Sequence, residues 1–223
     1  MMKRRRTQSH SAIPGGPLER QARASLRAAA VTAARVERST PRALAAAAEA
    51  MIACLEGGGT VFFCGNGGSA ADAEHLAGEL SGRYLVERPA FSTLSLTANT
   101  AALTAIANDY GFDQVFSRPL SGIGKPGDVL VAITTSGRSP NVRRVVETAH
   151  GLGMVVIGLT GQAGLSFAAL CDHALVTPSS ATPRVQEGHI VMGHILCELV
   201  ERALLARTVP PGRPARRRVR RTR

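Results

Sequence analysis

Tryptophan is absent from this 223-residue chain, and aromatic side chains of any kind make up only 4% of it. With so few rings, and with Ala and Gly abundant, the composition suits close helix–sheet packing more than a β-sandwich. Long apolar runs are missing too: none approaches the roughly 18 residues that a membrane span needs. The four cysteines (Cys54, Cys64, Cys171 and Cys197) lack the Cys-x-x-Cys spacing of a zinc knuckle, and each lies in an apolar stretch. They read as buried, reduced thiols of a cytoplasmic protein. The start MMKRRRTQSH is basic, but no apolar segment follows it before Pro14-Gly15-Gly16-Pro17. That argues against a secretory signal and leaves an organellar transit peptide open on composition alone.

Lysine is scarce as well, two residues against 25 arginines, yet the net charge is +11. The excess sits at the ends. Residues 1–27 carry net +6 and residues 207–223 net +8, which leaves the body mildly acidic at −3. We expect a basic disordered tail over 1–20, one folded domain over 21–206, and an Arg-rich disordered tail over 207–223. Such tails would meet nucleic acid nonspecifically, through charge alone, if at all. Between them, a content of 44% hydrophobic and 19% charged residues supports one core of ordinary size.

An Ala/Arg-rich helix is expected over about 18–38. Thr40-Pro41 then offers a capping hydroxyl and a first-turn proline for a second helix through Glu56. From there the pattern alternates. Short strands are expected at 60–64, 91–97, 128–134, 154–160 and 173–177, with helices at 69–81, up to Asn108, 113–122, from Ser139-Pro140 to about 150, 164–170 and 182–206. Strands that are apolar on both faces, each followed by a helix, describe a parallel sheet covered on two sides. Ligands bind such sheets outside the carboxyl ends of the strands.

Two loops at that edge stand out. Gly65-Asn66-Gly67-Gly68-Ser69-Ala70 formally matches a dinucleotide fingerprint, but the following strand ends Leu96-Thr97-Ala98 without the acid that would hold a ribose. Thr134-Thr135-Ser136-Gly137-Arg138-Ser139 opens another helix with four hydroxyls and no Walker lysine, a neutral cradle suited to one monophosphate. Among ionisable residues, His75 and Glu79 share a helix face, while the last helix carries Gln186, His189 and His194 among apolar neighbours. Two nitrogens and two oxygens from such sets suit zinc or a similar divalent ion. Gln186 and His194 are eight residues apart, about 12 Å along a straight helix, so one ion meets both only if the side chains reach toward each other or the helix bends near Gly188 or Gly193; otherwise one of them serves a neighbouring subunit's site.

The segments CGNGGSAADAEHLAGELSGRY (64–84), ANDYGFDQVFSR (107–118), GDVLVAITTSGRSPNV (127–142) and RVQEGHIVMGHILCELVE (184–201) together resemble the sedoheptulose 7-phosphate isomerases, also called phosphoheptose isomerases, of the SIS (sugar isomerase) domain group. The resemblance covers about residues 25–205. It implies an α/β fold, a three-layer αβα sandwich with a five-stranded parallel sheet and a helical N-terminus. It also implies a homotetramer with active sites at subunit interfaces and one zinc per subunit. The implied metal ligands are His75, Glu79, Gln186 and His194. The implied substrate contacts are Gly65, Asn66, Gly67, Glu79, Asn108, Asp109, Thr134, Thr135, Ser136, Ser139 and Gln186. Thr182-Pro183 stands where some members carry an acid, so any role of that acid is absent here or supplied elsewhere.

The resemblance implies interconversion of D-sedoheptulose 7-phosphate and D-glycero-D-manno-heptose 7-phosphate, an early step toward nucleotide-activated heptose. Moving a proton between C1 and C2 through an enediol takes a base for the carbon proton and an acid/base for the oxygens. We assign these roles to Glu79 and His194. A non-catalytic tetrameric SIS protein that docks on a replication initiator or another regulator is the alternative, and both histidines, Glu79 and Gln186 argue against it. A phosphosugar-responsive DNA binder is disfavoured because no helix-turn-helix precedes the SIS region.

Overall fold

The computed structural model describes residues 16–208. Residues 1–15 and 209–223 lie outside the described residues, and with them most of the two expected tails. Two helices come first, α1 (Pro17–Ser39) and α2 (Pro41–Glu56), so residues 17–20, grouped with the tail by composition, belong to α1. There follow β1 (Val61–Gly65), α3 (Gly68–Ser81), β2 (Thr93–Ser95), α4 (Thr100–Tyr110), α5 (Ser117–Ile123) and β3 (Val129–Thr134). The chain closes with α6 (Pro140–Gly151), β4 (Val155–Gly161), α7 (Leu165–Ala168), β5 (His173–Thr177) and α8 (Thr182–Thr208).

One expected helix is divided. The stretch 113–122 is a 3-10 turn at Phe112–Gln114 followed by α5 from Ser117. Pro119 explains the division: it has no amide to donate, and a start at Ser117 keeps it in the first turn, where no intrahelical donor is required. The expected hydroxyl caps also differ. Thr40 turns back to the Val36 carbonyl of α1 at 2.8 Å and caps no amide of α2. Ser139 caps no amide of α6 either.

All five strands are parallel, in the order β2-β1-β3-β4-β5. Their side chains alternate between two cores. Val61 and Phe63 of β1, with Val129, Val131 and Ile133 of β3, face α2, α3 and α8. Phe62 and Cys64, with Leu130 and Ala132, face α5, α6 and α7. This is a three-layer sandwich, and a period of two residues builds it. From β1 the chain leaves to β2 on one side and returns through β3 on the other. That reversal opens a crevice above the carboxyl ends of β1 and β3.

One buried ion pair ties the end of α3 and the segment after it to α8. Arg88 and Glu201 are both essentially inaccessible and meet at 2.9 Å. Glu201 also accepts the amides of Tyr84, Leu85 and Val86 at 2.8–3.1 Å, and Arg88 donates to the carbonyls of Glu79, Leu80, Gly82 and Pro89. Burial alone would raise the Glu201 carboxyl, but these amides and the guanidinium outweigh it and hold the group below the usual range. The connection from α3 to β2 is thereby pinned onto α8.

Candidate active site

The two loops singled out in the sequence meet at the crevice. Asn66, after β1, and buried Asn141, in the first turn of α6, exchange two side-chain amide bonds of 2.8 and 2.9 Å. Gly65, Asn66 and Gly67 thus lie beside the loop after β3. In that loop the Gly137 amide donates to Thr134 Oγ1 at 3.3 Å, and the Arg138 amide donates to Ser136 Oγ at 3.4 Å. The Thr134 and Ser139 hydroxyls are 3.4 Å apart, and the Thr135 carbonyl accepts the Gly161 amide of β4 at 3.1 Å. Since Ser139 caps nothing, its hydroxyl is available to a ligand at the start of the 12-residue α6. Helix-start amides and hydroxyls without a fixed negative charge form an anion cradle.

A second group lies farther along α3 and α8. These helices run side by side because Gly193 seats against the buried Leu76. The close approach brings His75 Nε2 to 2.9 Å from His194 Nε2 and 3.3 Å from Glu79 Oε1. Donor atoms of all three lie within 4.8 Å of one another. Ligand atoms around a tetrahedral zinc stand about 3.3 Å apart, given bonds of about 2.0–2.1 Å, so this trio fits such an ion with little movement. The Tyr84 ring tilts over His194 at 5.8 Å between centroids. His75 is 48% exposed and Glu79 24%, so the cluster opens onto the surface of the single chain.

Gln186 sits elsewhere. Its side-chain amide fills the space where a Cβ on Gly68 would lie, at the start of α3. His75 is seven residues, about 10 Å, farther along that helix. Within one chain, then, Gln186 joins the loop end and not the histidine–glutamate trio. Asn108 and Asp109 are exposed on the last turn of α4, bonded to each other at 2.8 Å. His189, the other histidine on α8, is fully buried.

Asp72 escaped the sequence reasoning. It precedes His75 by three residues on the same helix face, a spacing that was there to be read. Its Oδ2 is buried without a hydrogen-bond partner among the described residues, and burial raises its acid against the opposing pull of His75 and His194. The cysteines carry no comparable activation. All four are free thiols, and burial pushes Cys54 up to about 11 and Cys64, Cys171 and Cys197 up to about 12.

Comparison with known proteins gives the family of the chain. The SIS domain family matches residues 26–161. A phosphoheptose isomerase of Rhodospirillum rubrum is 56% identical over 162 residues, covering 73% of this chain and 86% of the relative. The solved phosphoheptose isomerase of Neisseria gonorrhoeae superposes with a TM-score of 0.79 at 41% identity, covering 83% of this chain and 99% of its own. That of Francisella tularensis gives 0.80 at 36% identity, covering 84% and 100%.

Proposed function

The chain belongs to the SIS domain family and, within it, to the phosphoheptose isomerases, and from that premise we propose how its residues divide the reaction. It is an isomerase that interconverts sedoheptulose 7-phosphate and the corresponding aldoheptose phosphate in heptose biosynthesis. The aldose is D-glycero-D-manno-heptose 7-phosphate. The observation that carries the division is the separation along α3 of the loop end at Gly68, where Gln186 sits, from His75 of the trio, about 10 Å. In a 7-phosphate the reacting C1–C2 end and the phosphate lie at opposite ends of a seven-carbon chain, which calls for two separate sets of contacts.

Ser136, Ser139 and the amides of their loop hold the phosphate and so fix the pose, aided by Thr134 and Thr135. Gly65, Asn66 and Gly67 line the same crevice, and Gln186 contacts the sugar from the loop end. Asn108 and Asp109 reach a substrate from the end of α4. Glu79 takes the proton from one of C1 and C2 and returns it to the other, while His194 moves the proton between the two oxygens. His75, Glu79 and His194 would hold a zinc ion, and Gln186 would serve as fourth ligand to a neighbouring chain's trio. When bound, zinc polarises the substrate carbonyl and offsets the negative charge that develops on oxygen, an effect worth several kcal/mol.

The partner is a phosphorylated heptose, and the assembly is a homotetramer with its sites at subunit boundaries. An open histidine–glutamate cluster supports this, as do bare Leu18 and Leu26 on α1 and Val191 on α8. We assign the enzyme to the cytoplasm; among the described residues no helix is long and apolar enough to cross a membrane.

The test is direct. Metal-replete protein should convert sedoheptulose 7-phosphate to an aldoheptose phosphate with no nucleotide or nicotinamide present. Glu79→Gln should lower kcat by about 10²–10⁴-fold while substrate still binds, because the amide keeps the shape but accepts no carbon proton. Near-normal turnover in that variant would remove Glu79 from the base role.

A further inference from the structure

Arg143 lies on the first turn of α6, outside every set of residues assigned so far, and it grips the phosphate loop from behind. Its Nε donates to the Gly137 carbonyl at 2.8 Å, and its Nη2 donates to Ser166 Oγ on α7 at 3.0 Å. Gly137 is the one residue of the loop with positive φ, at 68°. A Cβ there would lie 2.7 Å from Phe167 Cβ and 2.9 Å from Gly164 Cα, so the residue is confined on its outer side. A trans peptide is planar, with its carbonyl and its following N–H pointing in opposite directions. Holding the Gly137 carbonyl toward Arg143 therefore turns the Arg138 N–H the other way, and it points at Ser136 Oγ, inside the cradle.

We propose that Arg143 is a positioning residue for phosphate binding: it fixes the peptide between Gly137 and Arg138 so that the Arg138 amide faces the anion. Without that bond only the long 3.4 Å bond from the Arg138 amide to Ser136 Oγ holds the peptide, and a rotated peptide presents a carbonyl oxygen to the phosphate in place of a donor. The bond comes from a guanidinium, and charge-assisted bonds are the stronger kind. Ser166 supplies the second anchor that keeps the planar group oriented. The effect falls on binding of the phosphate end and leaves the proton-transfer groups untouched. This inference rests on the reading of the loop as the phosphate site.

Inorganic phosphate, used as a competitive inhibitor of sedoheptulose 7-phosphate turnover by the full metal-replete enzyme, is the probe. In Arg143→Leu the inhibition constant for phosphate and the KM should each rise about tenfold, with kcat within about twofold of the parent. Arg143→Lys keeps the charge but not the two-pronged geometry, so its phosphate constant should still rise several-fold. A parent-like constant in the lysine variant would mean that charge alone matters and would overturn the proposal. So would a drop in kcat and melting temperature in Arg143→Leu with phosphate inhibition unchanged, which is the signature of a merely structural residue. Should Arg143→Leu not fold, the lysine variant and Ser166→Ala, expected to raise the constant about two- to threefold, decide the matter. The Ser136→Ala/Ser139→Ala double variant separates the two readings. Weakened phosphate inhibition there beside an unaffected Arg143→Leu would sink only the role of Arg143, whereas unchanged inhibition in the double variant would sink the cradle itself.

Discussion

His189 is the histidine that the last helix hides. It is fully buried, neither ring nitrogen makes a well-formed hydrogen bond among the described residues, and burial lowers its pKa to about 4 although a weak contact with the Thr160 backbone partly opposes the shift. In the unfolded chain the same ring takes up a proton near 6.5. The unfolded state therefore binds more protons between those values, and stability falls as pH drops from about 6.5 toward 4. The loss reaches roughly 3 kcal/mol once both states are charged. Replacing the ring should remove that dependence. In His189→Leu, chemical denaturation at pH 8 and pH 5 should show a smaller acid loss than the parent by about 2 kcal/mol, since pH 5 reaches only part of the window. Parallel acid losses in the two proteins would mean that the Thr160 backbone satisfies the charged ring well enough to cancel the cost of burial. Charge type and spacing alone put His189 beside Gln186 and His194; only the packing of α8 on β4 and β5 separates it from them.

At the scale of elements, the contact of α3 with α8 decides whether the histidine–glutamate trio exists. In an isolated helix Gly→Ala gains about 1 kcal/mol. At Gly193 the sign reverses, because the new methyl would lie 2.6 and 2.7 Å from the two Leu76 methyl carbons, and Leu76 is buried with nowhere to turn. Overpacking of this kind costs about 1–3 kcal/mol, and the strain is relieved by moving the helices apart, which lengthens the gap between His75 and His194. Gly193→Ala should therefore lower both the melting temperature and the zinc bound per chain; a more stable variant with full metal content would show that the helices do not need this approach. The helices and strands themselves were legible in the sequence, because a period of two residues in β1 and β3 and proline or glycine at the breaks report local geometry. The two loops were legible for the same reason. What was not legible depends on partners distant in the chain. Thr40 and Ser139 carry the residue type of a cap, yet Thr40 finds a carbonyl in the preceding helix and Ser139 meets only the Thr134 hydroxyl at 3.4 Å. The eight-residue offset of Gln186 raised the question of a shared ion, and only the seat of that side chain on Gly68 separates it from the trio within one chain.

For the whole molecule, charge and architecture are separable. The residues outside 16–208 carry eleven of the arginines and lysines and no acid, equal to the entire net charge of +11. A protein trimmed to residues 16–208 should keep its turnover and its assembly while losing low-salt retention on nucleic acid, measurable on an immobilised duplex across a salt series. Loss of turnover on trimming would give the ends a role in the fold or the site. Such a protein would be close to neutral and more prone to self-association at high concentration, so its assembly is best measured dilute. The buried pair of Arg88 and Glu201 bears on how this sequence is free to drift. Losing Arg88 strands a carboxylate away from water, and losing Glu201 strands a guanidinium together with three backbone amides. Either single step costs about 3–5 kcal/mol, a large share of what a domain has to lose. An apolar pair in their place still leaves the amides of Tyr84, Leu85 and Val86 unanswered, so the usual two-step escape from a buried ion pair is closed. Lineages descending from this chain are therefore expected to diverge around these two positions long before they diverge at them.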